Sequence, residues 1–92
     1  VSLIQQIVGD YYEISVDKLK SKKRTRAIAF PRQIAMYLSR ELTDLSLPQI
    51  GKRFGGRDHS TVIHAYDKIK NKINEEEQFE KTIENLTKQI KN

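Results

Sequence analysis

The sequence predicts an all-α fold, a small bundle of about six helices that contains a helix-turn-helix. Isoleucine, leucine and valine recur at three- and four-residue steps along most of the chain, as on the buried face of a helix. No segment alternates apolar and polar residues for long enough to form a strand, and no Asn-Gly or Asp-Gly hairpin turn occurs. The chain of 92 residues has the length of one domain, and its 37% hydrophobic content can close a small core.

The amino-terminal part predicts a helix, a short turn and a loop. Residues 2–12 carry apolar side chains at helical intervals, with Ser2 available as an N-cap and Gln5 among the polar residues away from the apolar stripe. Ser15 precedes one short helical turn. The polar and basic residues 20–25 then predict an exposed loop.

The middle of the chain predicts a long helix, a short helix and a sharp turn. Apolar residues recur from Arg26 to about Leu42, and Pro31 is expected to start or bend this helix because it lacks an N–H. Ser46 is placed to cap the short helix. This helix ends at the pair Gly55-Gly56, whose backbone can turn freely.

Two further helices complete the prediction. Asp58 occupies an N-cap position, and Asn74 is expected to cap the last helix, whose acidic first turn suits the helix dipole. Both helices are amphipathic. Their apolar positions are Val62, Tyr66, Ile69 and Ile73, then Phe79, Ile83, Leu86 and Ile90, while His59, Ser60, His64 and Lys68 occupy the polar face of the first.

The charge of the chain favours a polyanionic partner. The 17 Lys and Arg residues exceed the 12 Asp and Glu residues, which gives a net charge of +5. Basic residues cluster between Lys18 and Arg32 with no acidic residue among them. Such a run is often only a solvated surface, so further features must decide its role. The first residue is Val1 rather than Met, and we expect a single domain from a longer multidomain protein.

Several classes of chemistry are disfavoured. The absence of cysteine excludes disulfides and thiolate sites. On a helix, His59 and His64 are about 140° apart, which does not suit a shared metal ion. Asp58, His59 and Ser60 are consecutive, so they cannot align as a catalytic triad. Residues 51–56 lack the spacing of a nucleotide-binding loop. We therefore expect neither enzyme activity nor a metal or cofactor in this domain.

Residues 46–74 have the pattern of a helix-turn-helix. A short helix, a glycine-containing turn and a second helix with a polar amino-terminal face suit entry into the major groove of DNA. Many helical bundles share this pattern, which makes it a weak indication by itself. The separate basic loop, about residues 20–26, is an independent feature that favours DNA as the partner.

Three segments carry a family resemblance. They are Pro-Arg-Gln-Ile-Ala-Met-Tyr-Leu from residue 31, Ser-Leu-Pro-Gln-Ile-Gly from residue 46 and Gly-Gly-Arg-Asp-His-Ser-Thr-Val-Ile-His-Ala from residue 55. The sequence closely resembles the C-terminal domain of the bacterial replication initiator DnaA, over essentially the whole chain. The resemblance implies sequence-specific binding to DnaA boxes in duplex DNA at the replication origin, for initiation and regulation of chromosomal replication. It also implies a cytoplasmic, nucleoid-associated protein, with an ATPase module and oligomerisation regions in other domains.

The resemblance assigns DNA contacts to individual residues. Asp58, His59 and Ser60 match residues that read bases in the major groove, although many relatives carry Thr where this chain has Ser60. Pro48 matches a residue that contacts a thymine methyl, and Arg24 matches one that enters the minor groove. The residues matched to phosphate contacts are Lys22, Arg26, Arg32, Gln33, Arg40 and Thr61.

Other interpretations stay open. Asp58 could serve only as an N-cap, and His64 could contact phosphate or lie free on the surface. Residues 18–26 could meet anionic lipid headgroups, and family members are linked to acidic phospholipids, but the segment lacks an apolar face for insertion. An acidic protein partner is a third alternative, and the helix after Glu75 could dock on another surface instead of its own bundle. RNA is disfavoured because its major groove excludes side chains.

Overall fold

The chain folds into six helices. The computed structural model describes all 92 residues, and they contain no strand. This confirms the predicted all-α class with its helix-turn-helix. No helix combines the length and the apolar character that a membrane span requires. In chain order the elements are α1 (Ser2–Tyr12), α2 (Val16–Lys20), α3 (Arg26–Leu42), α4 (Leu47–Arg53), α5 (His59–Glu75) and α6 (Glu77–Lys91).

Helices α3 and α5 form the centre of the molecule. They pack along each other, with α1 and α2 against α3, α4 against α5, and α6 against α1 and α5. Leu38 of α3 and Val62 and Ile69 of α5 are completely buried, as is Phe54 at the end of α4. Burying one such side chain stabilises a fold by about 1.5–3 kcal/mol. One continuous core thus fixes α4 and α5, the two helices of the helix-turn-helix.

Side-chain caps define where the two shortest helices begin. The Oγ of Ser15 accepts a hydrogen bond of 3.3 Å from the backbone N–H of Lys18. At the start of α4, the Oγ of Ser46 accepts from the N–H of Gln49, and the Oε1 of Gln49 accepts from the N–H of Ser46 in return. This reciprocal capping box satisfies donors that have no partner inside the helix. Both predicted serine caps are confirmed.

Two other predicted caps are wrong. Ser2 is the first helical residue of α1, and Val1 holds the cap position without a side-chain hydrogen bond. Asn74 lies inside α5, which continues to Glu75 before Glu76 occupies the cap of α6. The extra turn of α5 is supported by an ion pair of 2.7 Å between Lys72 and Glu76, which are four residues apart on the helix.

Two further residues differ from the expectation. Gln5 does not lie on the polar face of α1, since it is only 2% exposed and its Nε2 donates a 2.8 Å hydrogen bond to the carbonyl of Arg53. A buried amide needs such a partner, and here it joins α1 to the end of α4. Pro31 does not start α3, which begins five residues earlier at Arg26. Its missing N–H leaves the carbonyl of Ala27 without an α-helical donor.

The turn of the helix-turn-helix depends on two glycines. Gly55 and Gly56 have φ values of 83° and 78°, in the region that side-chain-bearing residues avoid. The backbone also comes very close to α2, because a Cβ on Gly55 would lie 2.3 Å from the carbonyl oxygen of Lys20. The turn therefore brings the start of α5 next to the loop that follows α2.

Asp58 caps α5 with one oxygen of its carboxylate. Its Oδ1 accepts from the N–H of Thr61 at 3.0 Å, from the Oγ1 of Thr61 at 3.2 Å and from the Oγ of Ser60 at 2.8 Å. These hydrogen bonds, that of the Thr61 N–H above all, lower the pKa of Asp58 below its usual value. The group is therefore ionised at neutral pH and stabilises the first turn of α5 in that form.

Replacing the two glycines of the turn should separate backbone strain from close packing. We expect Gly56→Ala to lower the free energy of unfolding by about 1–2 kcal/mol, the cost of a Cβ at positive φ. Gly55→Ala should lower it further, because the new Cβ also meets the carbonyl of Lys20. Urea denaturation of both variants measures the difference. Equal losses would contradict the close contact with α2.

The cap at Asp58 should make stability depend on pH. A carboxylate whose pKa is lower in the folded state stabilises the fold above its unfolded pKa, and this contribution is lost as the pH falls through the folded pKa. The difference in Tm between wild type and Asp58→Ala should therefore be largest at neutral pH and shrink on acidification. Asp67→Ala is the control, since Asp67 is an exposed residue of the same helix that caps nothing. A difference that stays constant down to pH 2 would refute this role of Asp58.

Candidate nucleic-acid interface

A cationic cleft lies between the loop after α2 and the start of α5. None of the residues that line it is hydrophobic or acidic. The amino terminus of α5, the positive end of its helix dipole, lies at the same edge. An anion is the ligand that such a surface attracts. The residues that line the cationic cleft are Lys22, Arg24, Arg32, Arg57 and Thr61.

The residues matched to base contacts are all accessible. Asp58, His59 and Ser60 form the cap and first turn of α5, and each is exposed. Pro48 is exposed on the first turn of α4, which packs against α5. Arg24 is exposed in the loop between α2 and α3. The side chains that the sequence analysis selected for base contact are thus free to meet a ligand.

Asp58 can cap a helix and bind a ligand at the same time. All three hydrogen bonds that it accepts from the protein end on Oδ1, so Oδ2 is free to accept from a base amino group. Because the hydroxyl of Ser60 donates to Asp58, its lone pairs face outward as acceptors. The capping role and the reading role of Asp58 are therefore compatible.

Most residues matched to phosphate contacts gather around the cationic cleft. Lys22, Arg32 and Thr61 line it directly. Arg26 and Gln33 line a neighbouring depression, together with Arg24 and with Lys68 of α5. The Oε1 of Gln33 is buried there without a hydrogen-bond partner. Arg40 stands apart near the end of α3, where its Nη1 donates at 3.3 Å to the carbonyl of Leu45. The structure thus brings five of these residues together and leaves Arg40 outside the group.

Arg32 is more deeply buried than a surface phosphate contact. It is 5% exposed, its Nε donates a 2.7 Å hydrogen bond to the carbonyl of Leu19, and its Nη2 lies 3.4 Å from the carbonyl of Lys18. Carbonyls at the end of a helix lack helical donors, so Arg32 satisfies the end of α2. Burial lowers the pKa of Arg32, and the charge of Arg57 lowers it further. Arg32 holds α2 on α3, and its match to a phosphate contact stays a prediction.

Arg57 is a residue of this surface that sequence reasoning missed. Its Nη2 donates at 2.6 Å to the carbonyl of Ser21, and its Nη1 donates to the carbonyl of Phe54. Burial, and then the charge of Arg24, lowers the pKa of Arg57. Periodicity could not find it, because its partner Ser21 is 36 positions away in the chain. The only available signal was a basic residue directly before the cap of α5.

The geometry suits binding to a polyanion. No three histidine or carboxylate side chains lie close enough together to ligate a metal ion. The cationic cleft presents guanidinium and ammonium groups, which bind phosphate oxygens. The adjoining first turn of α5 presents short polar side chains that can donate to and accept from base edges.

Comparisons with known proteins agree with this arrangement. Residues 1–69 match the family described as "Bacterial dnaA protein helix-turn-helix". A solved structure described as "Crystal structure of DNA replication initiation factor" is similar over 97% of this chain, with a TM-score of 0.83 and 34% sequence identity. This chain covers 28% of that longer chain. The family match includes all of α1 to α4, the loop after α2 and the start of α5, so this chain belongs to the bacterial DnaA protein helix-turn-helix family.

Proposed function

We propose that this domain binds duplex DNA sequence-specifically at DnaA boxes of a replication origin, in the initiation of chromosomal replication. Membership in the family and likeness to a replication initiation factor support DNA binding in replication. The observation that carries the proposal is the position of exposed polar side chains on the first turn of α5 directly beside the cationic cleft.

In this proposal the cationic residues bind the sugar-phosphate backbone. Lys22 is exposed in the loop after α2, and Arg26 is exposed at the start of α3. Thr61 is exposed on the first turn of α5. Contacts to phosphate fix the register of a protein on DNA without reading its sequence. They are charge interactions that release counterions, so they depend on salt. The cationic cleft therefore supplies affinity and orientation.

The first turn of α5 supplies sequence readout in the major groove. The free Oδ2 of Asp58 accepts from an exocyclic amino group of cytosine or adenine. His59 donates to a purine or thymine acceptor, and Ser60 accepts through its lone pairs. Pro48 contacts a thymine methyl from the start of α4. Because Ser60 has no methyl group, it gives up the apolar contact that threonine would make with thymine.

Arg24 reads the minor groove in the same proposal. Its side chain is exposed and makes no hydrogen bond or ion pair within the protein. Narrow A·T-rich minor grooves concentrate negative potential, which attracts an arginine. Two grooves read by one rigid domain give more discrimination than either groove alone.

Properties of a full-length protein lie beyond this domain. We propose that it acts at the nucleoid, with ATP bound by an upstream module and with oligomerisation through other domains. Contact with acidic phospholipids also stays a prediction. No sequence-specific role for His59 is expected at a lipid surface, so the DNA experiments below separate the two partners.

Two substitutions should separate base reading from phosphate binding. We expect His59→Ala to lower the preference for a DnaA-box duplex over a scrambled duplex by about tenfold or more, while binding to the scrambled duplex stays nearly constant. Lys22→Ala should weaken binding to both duplexes alike. His64→Ala, one turn further along α5, should keep the preference and is the matched control. Fluorescence anisotropy measures all three, and an unchanged preference in His59→Ala would refute the assignment.

Binding should also depend steeply on salt. Four of the residues matched to phosphate contacts are cationic, so with about 4 phosphates neutralised the log affinity is expected to fall against log salt concentration with a slope of roughly −4. Titrations of the box duplex at several salt concentrations give this slope. A slope near zero would mean that the cationic cleft does not contact phosphates.

A further inference from the structure

Arg57 joins three elements of the proposed interface through one guanidinium group. Its Nη2 binds the carbonyl of Ser21, the residue that caps the end of α2 and begins the basic loop. Its Nη1 binds the carbonyl of Phe54, which caps the end of α4. The backbone of Arg57 directly precedes Asp58, the cap of α5. The loop and the recognition helix are therefore tied to the same side chain.

The anchor on the helix-turn-helix side of this bridge is rigid. Phe54 is completely buried, and the backbone N–H of Arg57 donates a 3.0 Å hydrogen bond to the carbonyl of Gly51 in α4. On the other side, residues 22–25 are all exposed. Arg57 makes the one hydrogen bond that joins residues 21–25 to residues 54–58. This hydrogen bond, together with the packing of Gly55 against the carbonyl of Lys20, holds the loop next to α5.

Charge gives Arg57 a second effect on the loop. Arg24 lies close enough for its charge to act on Arg57, and both side chains line the cationic cleft. Two like charges repel, and Arg57 is held in place by its two carbonyl partners. Arg24 is exposed and makes no hydrogen bond within the protein, so the repulsion directs it away from Arg57, toward solvent.

We infer that Arg57 is a positioning residue that sets the spacing between the recognition helix and the loop that carries Arg24, and so governs specificity without contacting a base. This inference rests on the proposed function. Arg24 and His59 must reach two grooves of one duplex together. The hydrogen bond from Arg57 to the carbonyl of Ser21 fixes their separation. A fixed separation raises the effective concentration of the second contact once the first has formed. Loss of this hydrogen bond should weaken binding to the correct site selectively. A scrambled site does not form the contacts of Arg24 and His59 together, so it has none to lose.

Arg57→Lys is the sharpest test, since it keeps the positive charge. A lysine ammonium on a flexible stem does not reproduce the planar fork that spans two carbonyls. We expect the ratio of affinities for box and scrambled duplexes to fall by about tenfold, with scrambled binding within about twofold of wild type and the salt slope unchanged. Arg53→Ala is the control for charge, because Arg53 is exposed at the end of α4 and its side chain makes no hydrogen bond. Arg53→Ala should leave the ratio of affinities for box and scrambled duplexes unchanged.

A double-mutant cycle with Arg24→Ala tests whether Arg57 acts through Arg24. If it does, adding Arg57→Lys to Arg24→Ala should lower the ratio no further, since the group to be positioned is already gone. Additive losses would overturn the inference. Titrations are made at a temperature at which circular dichroism shows all variants folded. Amide hydrogen exchange should be faster at Ser21 and Lys23, whose N–H groups are hydrogen-bonded, in Arg57→Lys and unchanged in the core of α3 and α5.

The outcomes distinguish this inference from the proposed function. If the wild-type protein bound the box and scrambled duplexes with nearly equal affinity, the proposed function itself would be overturned. A wild-type preference for the box that Arg57→Lys retains would overturn the positioning role alone. Substitution of Arg57 could instead lower the affinity for both duplexes equally, with a salt slope that is smaller by about 1 in Arg57→Ala but not in Arg57→Lys. This result would show that Arg57 is an ordinary phosphate contact.

Discussion

Two arginines bind the free carbonyl groups at the carboxyl end of α2 and hold it against α3 and against the helix-turn-helix. Arg32 comes from α3 and donates to Leu19, while Arg57 comes from the turn before α5 and donates to Ser21. The last carbonyls of any helix need donors from elsewhere, and a five-residue helix such as α2 has little stability of its own. These cationic groups thus stabilise a weak element and at the same time collect positive charge where a polyanion would bind.

Asp58 shows how one residue can satisfy local folding and still be available to a ligand. The three donors around it converge on Oδ1. They fix the orientation of the carboxylate, so Oδ2 points in a defined direction without a further supporting residue. Since the cap also fixes where α5 begins, the positions of His59 and Ser60 follow from the same hydrogen bonds.

Local signals in the sequence were sufficient for most elements, whereas the candidate site residues were matched through the family resemblance. Apolar periodicity located the helices, and the caps at Ser15, Ser46 and Asp58 follow from short-range hydrogen bonds. Long-range partners could not be inferred. Gln5 looks like a surface residue until Arg53, 48 positions away, is seen to accept from it. Arg32 and Arg57 resemble any other basic residue of the chain, because nothing local tells a carbonyl-binding arginine from a phosphate-binding one.

The close approach of Gly55 to the carbonyl of Lys20 has a consequence for protein engineering. A helix-turn-helix is often regarded as a portable unit that can be grafted into other scaffolds. Here Gly55 leaves no room for a side chain because the backbone of Lys20 fills that space. A graft of residues 46–75 alone would carry the recognition helix but would lack α2, the segment against which Gly55 packs. The shortest segment that can be grafted with this contact intact therefore begins upstream of α2.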